Sequence, residues 1–169
     1  MAYLDDPWFW ITSIVDPRIW TAIAVILFLV RMKYSKAGKD NLKWVGKFII
    51  ISVFSAMIAF GASQIIKEVV KIPRPCAVGV NPYCEADPSF PSGHASIAFA
   101  AFTGIYVILD KKKYLWVYIF PVLVSLSRIA MGVHTVYDII GGAVLGIAVT
   151  LIFAWLTRKN NYLGKWVGK

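Results

Sequence analysis

The chain has 169 residues, 59% of them hydrophobic and 16% charged, with 18 Lys and Arg against nine Asp and Glu and a formal charge of +9. A soluble domain of this size carries about a quarter charged residues spread along its length; here the charges fall between long apolar runs, which excludes that class and points to one membrane domain over residues 1–169. The positive charge follows the connections between apolar runs, so it reads as a topology signal and gives no support to a nucleic-acid partner.

Residues 1–16 carry aspartates where a signal peptide has positive charge, and they lack a small-residue cleavage site. Trp8, Phe9, Trp10 and Ile11 suit a short helix lying in the membrane interface. Asp16-Pro17 offers an N-cap followed by an N1 proline, so a first span is expected over Pro17–Met32. Its uncharged run from Ile19 to Val30 is short, and Arg18 and Arg31 must snorkel toward opposite headgroup regions to complete the crossing. Four more spans are expected at Val45–Ile66, Ser92–Leu109, Tyr114–Met131 and Tyr137–Leu156, each near the roughly 20 residues a bilayer requires. Residues 157–169 form a basic tail.

The expected fold is therefore an all-α integral membrane bundle of five spans plus a short N-terminal interfacial helix. Gly46, Gly61, Gly104, Gly141, Gly142 and Gly146 lie in or beside these runs, where small residues let helix backbones approach. The Gly142–Gly146 spacing serves packing within the bundle or dimerisation, and the oligomeric state stays open. The seven tryptophans lie mostly near span ends and read as an aromatic belt.

Arg31, Lys33, Lys36, Lys39, Lys43 and Lys47, the Lys111–Lys113 turn, and Arg158, Lys159, Lys165 and Lys169 put 13 of the 18 basic residues on one side. The positive-inside rule makes that side cytoplasmic, with the N-terminus outside and the C-terminus inside. The connections after spans two and four then emerge together on the outer side. All the polar clusters of the chain belong to them: Lys67 with Arg74-Pro75, Pro91-Ser92-Gly93-His94, and Ser127-Arg128 with His134 and Asp138. His94 and His134 are the two histidines present, and each sits in a basic cluster suited to phosphate chemistry.

Each residue also has a plainer reading. Histidines at helix starts are more often packing residues, Thr135 with Asp138 fits a capping box, and Arg74 and Arg128 could be interfacial anchors. Lys71 and Glu68 read as a solvated helix end. None of these readings explains three spaced clusters converging on one face.

In order and internal spacing the clusters resemble the signature of the type-2 phosphatidic acid phosphatases, membrane relatives of the vanadium haloperoxidases and bacterial acid phosphatases. That signature runs Lys-x6-Arg-Pro, Pro-Ser-Gly-His, Ser-Arg-x5-His-x3-Asp, and every position is matched, over a resemblance from about Phe48 to Phe153. Many members have six spans with both termini inside, and the five expected here depart from that pattern at the N-terminus.

The resemblance implies a phosphoryl-transfer site. Lys67, Arg74 and Arg128 would surround the equatorial oxygens of the transition state. Ser92 and the Gly93 N–H would add donors at a helix N-terminus, which favours anions. By resemblance His134 is the nucleophile that forms a phosphohistidine, Asp138 fixes its tautomer, and His94 protonates the leaving oxygen and then activates water. No cofactor is expected. A metal site is disfavoured because three cations in one pocket repel a divalent ion. Cys76 and Cys84, on the oxidising side, are a candidate disulfide bracing the loop between the first two motifs, the alternative being two free thiols.

The expected activity is metal-independent hydrolysis of the phosphate or diphosphate headgroup of a phosphorylated membrane lipid on the extracytoplasmic face of the cell membrane. Polyprenyl diphosphate is the leading substrate class. Phosphatidic acid, phosphatidylglycerol phosphate and lipid A 1-phosphate are alternatives, since the signature reads phosphate and not the tail. A lipid phosphotransferase and a non-catalytic lipid-binding or transport protein are the rival readings.

Overall fold

A computed structural model describes residues 46–109 and 112–159 and, apart from these, Pro7 alone. The expected interfacial helix, the first span, most of the first connection and the tail beyond Lys159 lie outside the described residues. Among those described there are helices and no strands.

A helix running Gly46–Val70 includes a π-helical turn, Ile49–Val53, followed by α1, Phe54–Val70. It runs four residues past the expected end at Ile66. Lys67, which hydropathy treats as a boundary, is instead buried in the last turn, and Lys71 ends the helix at φ 51°, its N–H bonded to Lys67 O at 2.9 Å. Glu68 and Lys71 are exposed, as a solvated helix end would be.

α2 spans Gly93–Leu109. The next apolar run is broken, with a 3-10 helix over Lys112–Tyr118 leading into α3, Ile119–Ala130. Pro121 accounts for the break. A continuous α-helix would need the N–H that proline lacks and would drive its ring into the carbonyl of Val117. α4, Val136–Lys159, completes the described chain.

α2 is the central helix and packs most extensively on α4, then on α1. Gly142 and Gly146 make the α2–α4 approach possible. A β-carbon on Gly142 would stand 2.6 Å from Ser92 O, and one on Gly146 would run into Ser96 O and Ala100 N. The Gly142–Gly146 pair is thus used inside the bundle, whereas Gly46 and Gly61 have no neighbour close enough to require glycine.

The bundle places small hydroxyls inside and large apolar groups outside. Ser63, Ser96, Ser127, Thr150 and Thr157 are buried, and their hydroxyls donate to helix carbonyls three or four residues back. The single Thr150 O–H is shared with Ala100 O of α2, at 3.0 Å. Outward stand Ile65, Val69, Val144, Leu151, Ile152 and Trp155. Hydrogen-bonded small residues at helix contacts and apolar groups facing outward suit a lipid solvent. Gly46–Val70 and Val136–Lys159 are long and apolar enough to cross a membrane, with 28% and 22% of their apolar windows buried. A core helix of a soluble protein would be mostly buried. Gly93–Leu109 and Tyr114–Ala130 are shorter apolar helices.

Candidate active site

The C-terminal ends of α1 and α3, the N-terminal ends of α2 and α4, and the loops 71–92 and 131–135 meet at one end of the bundle. The sequence sets up this end locally. α3 closes in a Schellman motif, with Gly132 N bonded to Ile129 O at 2.9 Å and Val133 N to Arg128 O at 3.2 Å. Gly132 takes φ 68°, which suits glycine. The chain is thereby turned back so that His134 follows directly on a buried Val133.

α4 then starts on a reciprocal capping pair. Thr135 N donates to Asp138 Oδ2 at 2.7 Å, and Asp138 N to Thr135 Oγ1 at 3.3 Å. The cap and the site share Asp138, since Oδ2 also lies 3.5 Å from Nδ1 of His134. One carboxylate oxygen thus serves the cap and faces the His134 ring.

Arg74 is the hub. Its Nη1 lies 3.2 Å from His134 Nε2 and donates to Val133 O at 3.3 Å. Its Nε donates to Asp87 O at 3.0 Å, and Nη2 is bonded to Asp87 Oδ1 at 2.6 Å and to Glu85 Oε2. Lys67 Nζ pairs with Asp87 Oδ2, and Arg128 Nη2 lies 3.7 Å from Glu85 Oε1. Lys67, Arg128, His134 and Asp138 are all buried.

Ser92 opens α2. Its N–H donates to Asp138 O at 3.0 Å, tying the second cluster to the third, and its Oγ accepts from Ala95 N at 3.4 Å. Gly93 is buried, yet a β-carbon there would make only ordinary contacts, the nearest with Gln64 Nε2 and Ser63 Oγ at 3.7 Å. Packing does not demand glycine at that position. His94 is half-buried and lies within electrostatic reach of Arg128, His134, Arg74 and Lys67.

Cys76 and Cys84 form a disulfide. Asn81, within the loop they close, donates to Met131 O at 2.8 Å and so ties that loop to the α3–α4 turn. All ten residues singled out in the sequence thus lie at this one end.

Three further residues were not foreseen as site members: Glu85, Asp87 and Ser89. The first two bridge the cations, and Ser89 Oγ donates to Asp138 Oδ2 at 2.6 Å while lying 3.3 Å from His134 Nδ1. Their signal was available, since Glu85-Ala86-Asp87-Pro88-Ser89 is a polar run directly ahead of the second cluster.

The electrostatics follow from burial. Burial holds the His134 imidazole down to about 3, with the charges of Arg74 and Arg128 acting in the same direction and Asp138 opposing them. Both influences favour the neutral ring, and so does the Arg74 Nη1 donor standing against Nε2. For Asp87, burial alone would raise the carboxyl, but hydrogen bonds from Lys67 and Arg74 and their charges outweigh it and hold it below the usual carboxylate value. Among the described residues, no three or more His, Cys, Asp or Glu gather to hold a metal ion. The arrangement offers an unprotonated imidazole nitrogen beside three cations, which suits attack on a phosphorus centre.

The PAP2 superfamily sequence model matches residues 47–162. The chain is 34% identical over 113 residues to an undecaprenyl-diphosphatase of Sulfolobus acidocaldarius, covering 63% of this chain and 53% of that one. It is 36% identical over 104 residues to human sphingosine-1-phosphate phosphatase 2, covering 54% and 26%. The chain thus spans about half, or less, of the length of these relatives. Among solved structures, a transmembrane PAP2-type phosphatidylglycerolphosphate phosphatase from Bacillus subtilis matches with TM-score 0.65 at 22% identity, covering 94% of this chain and 79% of that one.

Proposed function

Because the chain belongs to the PAP2 superfamily, we propose that it is a membrane lipid phosphatase that works through a phosphohistidine at His134. The observation that carries this reading is the placement of His134, with Nε2 at 3.2 Å from Arg74 Nη1 and Asp138 behind Nδ1. In the reaction Nε2 attacks phosphorus, the bond to the lipid oxygen breaks, and His94 supplies the proton that leaves with it. His94 then takes a proton from water, whose oxygen attacks the phosphohistidine and releases phosphate. Lys67, Arg74 and Arg128, with Ser92 Oγ and the Gly93 N–H, hold the equatorial oxygens, a task that needs no divalent ion.

Polyprenyl diphosphate is the leading substrate class, supported by the name of the archaeal relative. The sphingosine-1-phosphate and phosphatidylglycerolphosphate activities named for the other two keep lipid monophosphates as alternatives. The five-span topology, the cell membrane and an outward-facing site complete the proposal. The test is phosphate release from a panel of lipid mono- and diphosphates in detergent, with and without an alcohol acceptor. Hydrolysis that persists in chelator and is blocked by vanadate supports the reading. Transfer to the acceptor in place of water would make the protein a phosphotransferase, and no turnover on any member would favour a binding or transport protein.

A further inference from the structure

The hydrogen bonds from Arg74 through His134 to Asp138 have a direction that elementary chemistry determines. A guanidinium has N–H donors and no acceptor. At 3.2 Å Arg74 Nη1 therefore donates to His134 Nε2, which must be the bare nitrogen. A neutral imidazole with Nε2 bare carries its proton on Nδ1. Two oxygens face that N–H: Ser89 Oγ at 3.3 Å and Asp138 Oδ2 at 3.5 Å. Asp138 Oδ2 is already bonded to Ser89 Oγ at 2.6 Å and to Thr135 N at 2.7 Å. A carboxylate only accepts, so the Ser89 proton points at Asp138 and a hydroxyl lone pair is left for Nδ1–H.

We propose that Ser89 is a positioning residue for the nucleophile, its hydroxyl relaying Asp138 to His134 and holding the ring in the Nδ1–H tautomer with Nε2 aimed at phosphorus. The proposal rests on the reading of His134 as the nucleophile. Ser89 itself is fully buried, and its N–H donates to Ile72 O at 2.7 Å, so the relay hangs from the backbone of the loop that also carries Arg74. The depressed basicity of His134 agrees with this, since a protonated ring could not accept from Arg74.

No proton has to move along the relay. When the Nε2–P bond forms and the P–O bond to the lipid breaks, the ring becomes cationic with Nδ1–H in place. Asp138 offsets that charge through the Ser89 hydroxyl, and the departing oxygen takes its proton from His94. Losing Ser89 therefore lowers the fraction of correctly protonated ring without removing any group that touches phosphate.

The test combines kinetics with 15N NMR of histidine-labelled protein in detergent, the two ring signals being assigned with His94→Gln. Wild type should show His134 with a protonated Nδ1 and a bare Nε2. Ser89→Ala should shift His134 toward the Nε2–H form and lower kcat roughly 10- to 100-fold, the range for losing a hydrogen bond to a charged network, with KM within about threefold. Ser89→Thr, which keeps the hydroxyl, should recover most of kcat. Wild-type His134 found protonated on Nε2, or Ser89→Ala with the wild-type tautomer and full kcat, overturns the proposal. The wild-type spectrum decides even if Ser89→Ala does not fold. The tautomer also stands apart from turnover, so absence of phosphatase activity would count against the proposed function and leave the relay to be judged by NMR.

Discussion

Arg74 Nη1 stands 3.2 Å from His134 Nε2 while Nη2 of the same guanidinium is bonded to Asp87 and Glu85. One planar group therefore faces the His134 ring and organises the carboxylates around it. In a phosphate complex the donors now facing Nε2 and Glu85 would turn to phosphate oxygens.

Arg74→Lys should for this reason be far from conservative. A lysine keeps the charge but presents a point ammonium in place of a fork that bonds Asp87 O, Asp87 Oδ1 and Nε2 together. We expect kcat/KM to fall by roughly 100- to 1000-fold, on the scale of losing a transition-state donor. Steady-state kinetics on a lipid phosphate check this, and a loss under fivefold would remove Arg74 from the hub.

Glu85 is half-exposed and spans Arg74 and Arg128, where a phosphate oxygen would sit under the proposed chemistry. Glu85→Gln removes an anion that competes with the substrate, so vanadate inhibition should tighten severalfold. Weaker vanadate binding in the variant would mean that Glu85 is needed to hold the two arginines in place.

Asp87 makes stability pH-dependent. Its carboxyl is held below its ordinary value in the fold, so the unfolded chain takes up a proton there first as the pH drops. The stabilisation is fully present above about pH 4 and is lost as the pH falls through the lower folded value. Asp87→Asn should therefore melt below wild type at pH 6, and the gap should narrow below pH 4. A gap that does not change with pH would refute the coupling to Lys67 and Arg74.

The residues that meet at this end of the bundle were legible in the sequence because cations and histidines stand out against apolar runs. Ser89, Asp87 and Glu85 were harder to read, since they lie in a proline-rich loop with no periodicity and their partners are 11 to 49 residues away. Helix limits failed where charge was taken for a boundary: Lys67 is buried against Asp87, and α1 runs on to Val70. Composition marked Gly46, Gly61, Gly142 and Gly146 alike, but only a helix crossing separates the last two from the others. The break before α3 was present in the sequence as Pro121 within an apolar run.

Topology decides which lipids the site meets. A cysteine placed at Val80, which is 83% exposed in the loop beside the site, should react with a membrane-impermeant thiol reagent in intact cells, with the native pair left as its disulfide. A cysteine at Lys112 should be protected. Labelling in the reverse pattern would turn the protein over and confine it to lipids of the cytoplasmic leaflet.

If His134 carries the phosphoryl group, rapid base quench of wild-type protein turning over a 32P-labelled lipid phosphate should trap it there. The expected product is a phosphoprotein stable in base and labile in acid, located at His134 by peptide mapping, with neither label nor phosphate release in His134→Ala although that variant folds. Undiminished turnover by His134→Ala, or label on another residue, would contradict it.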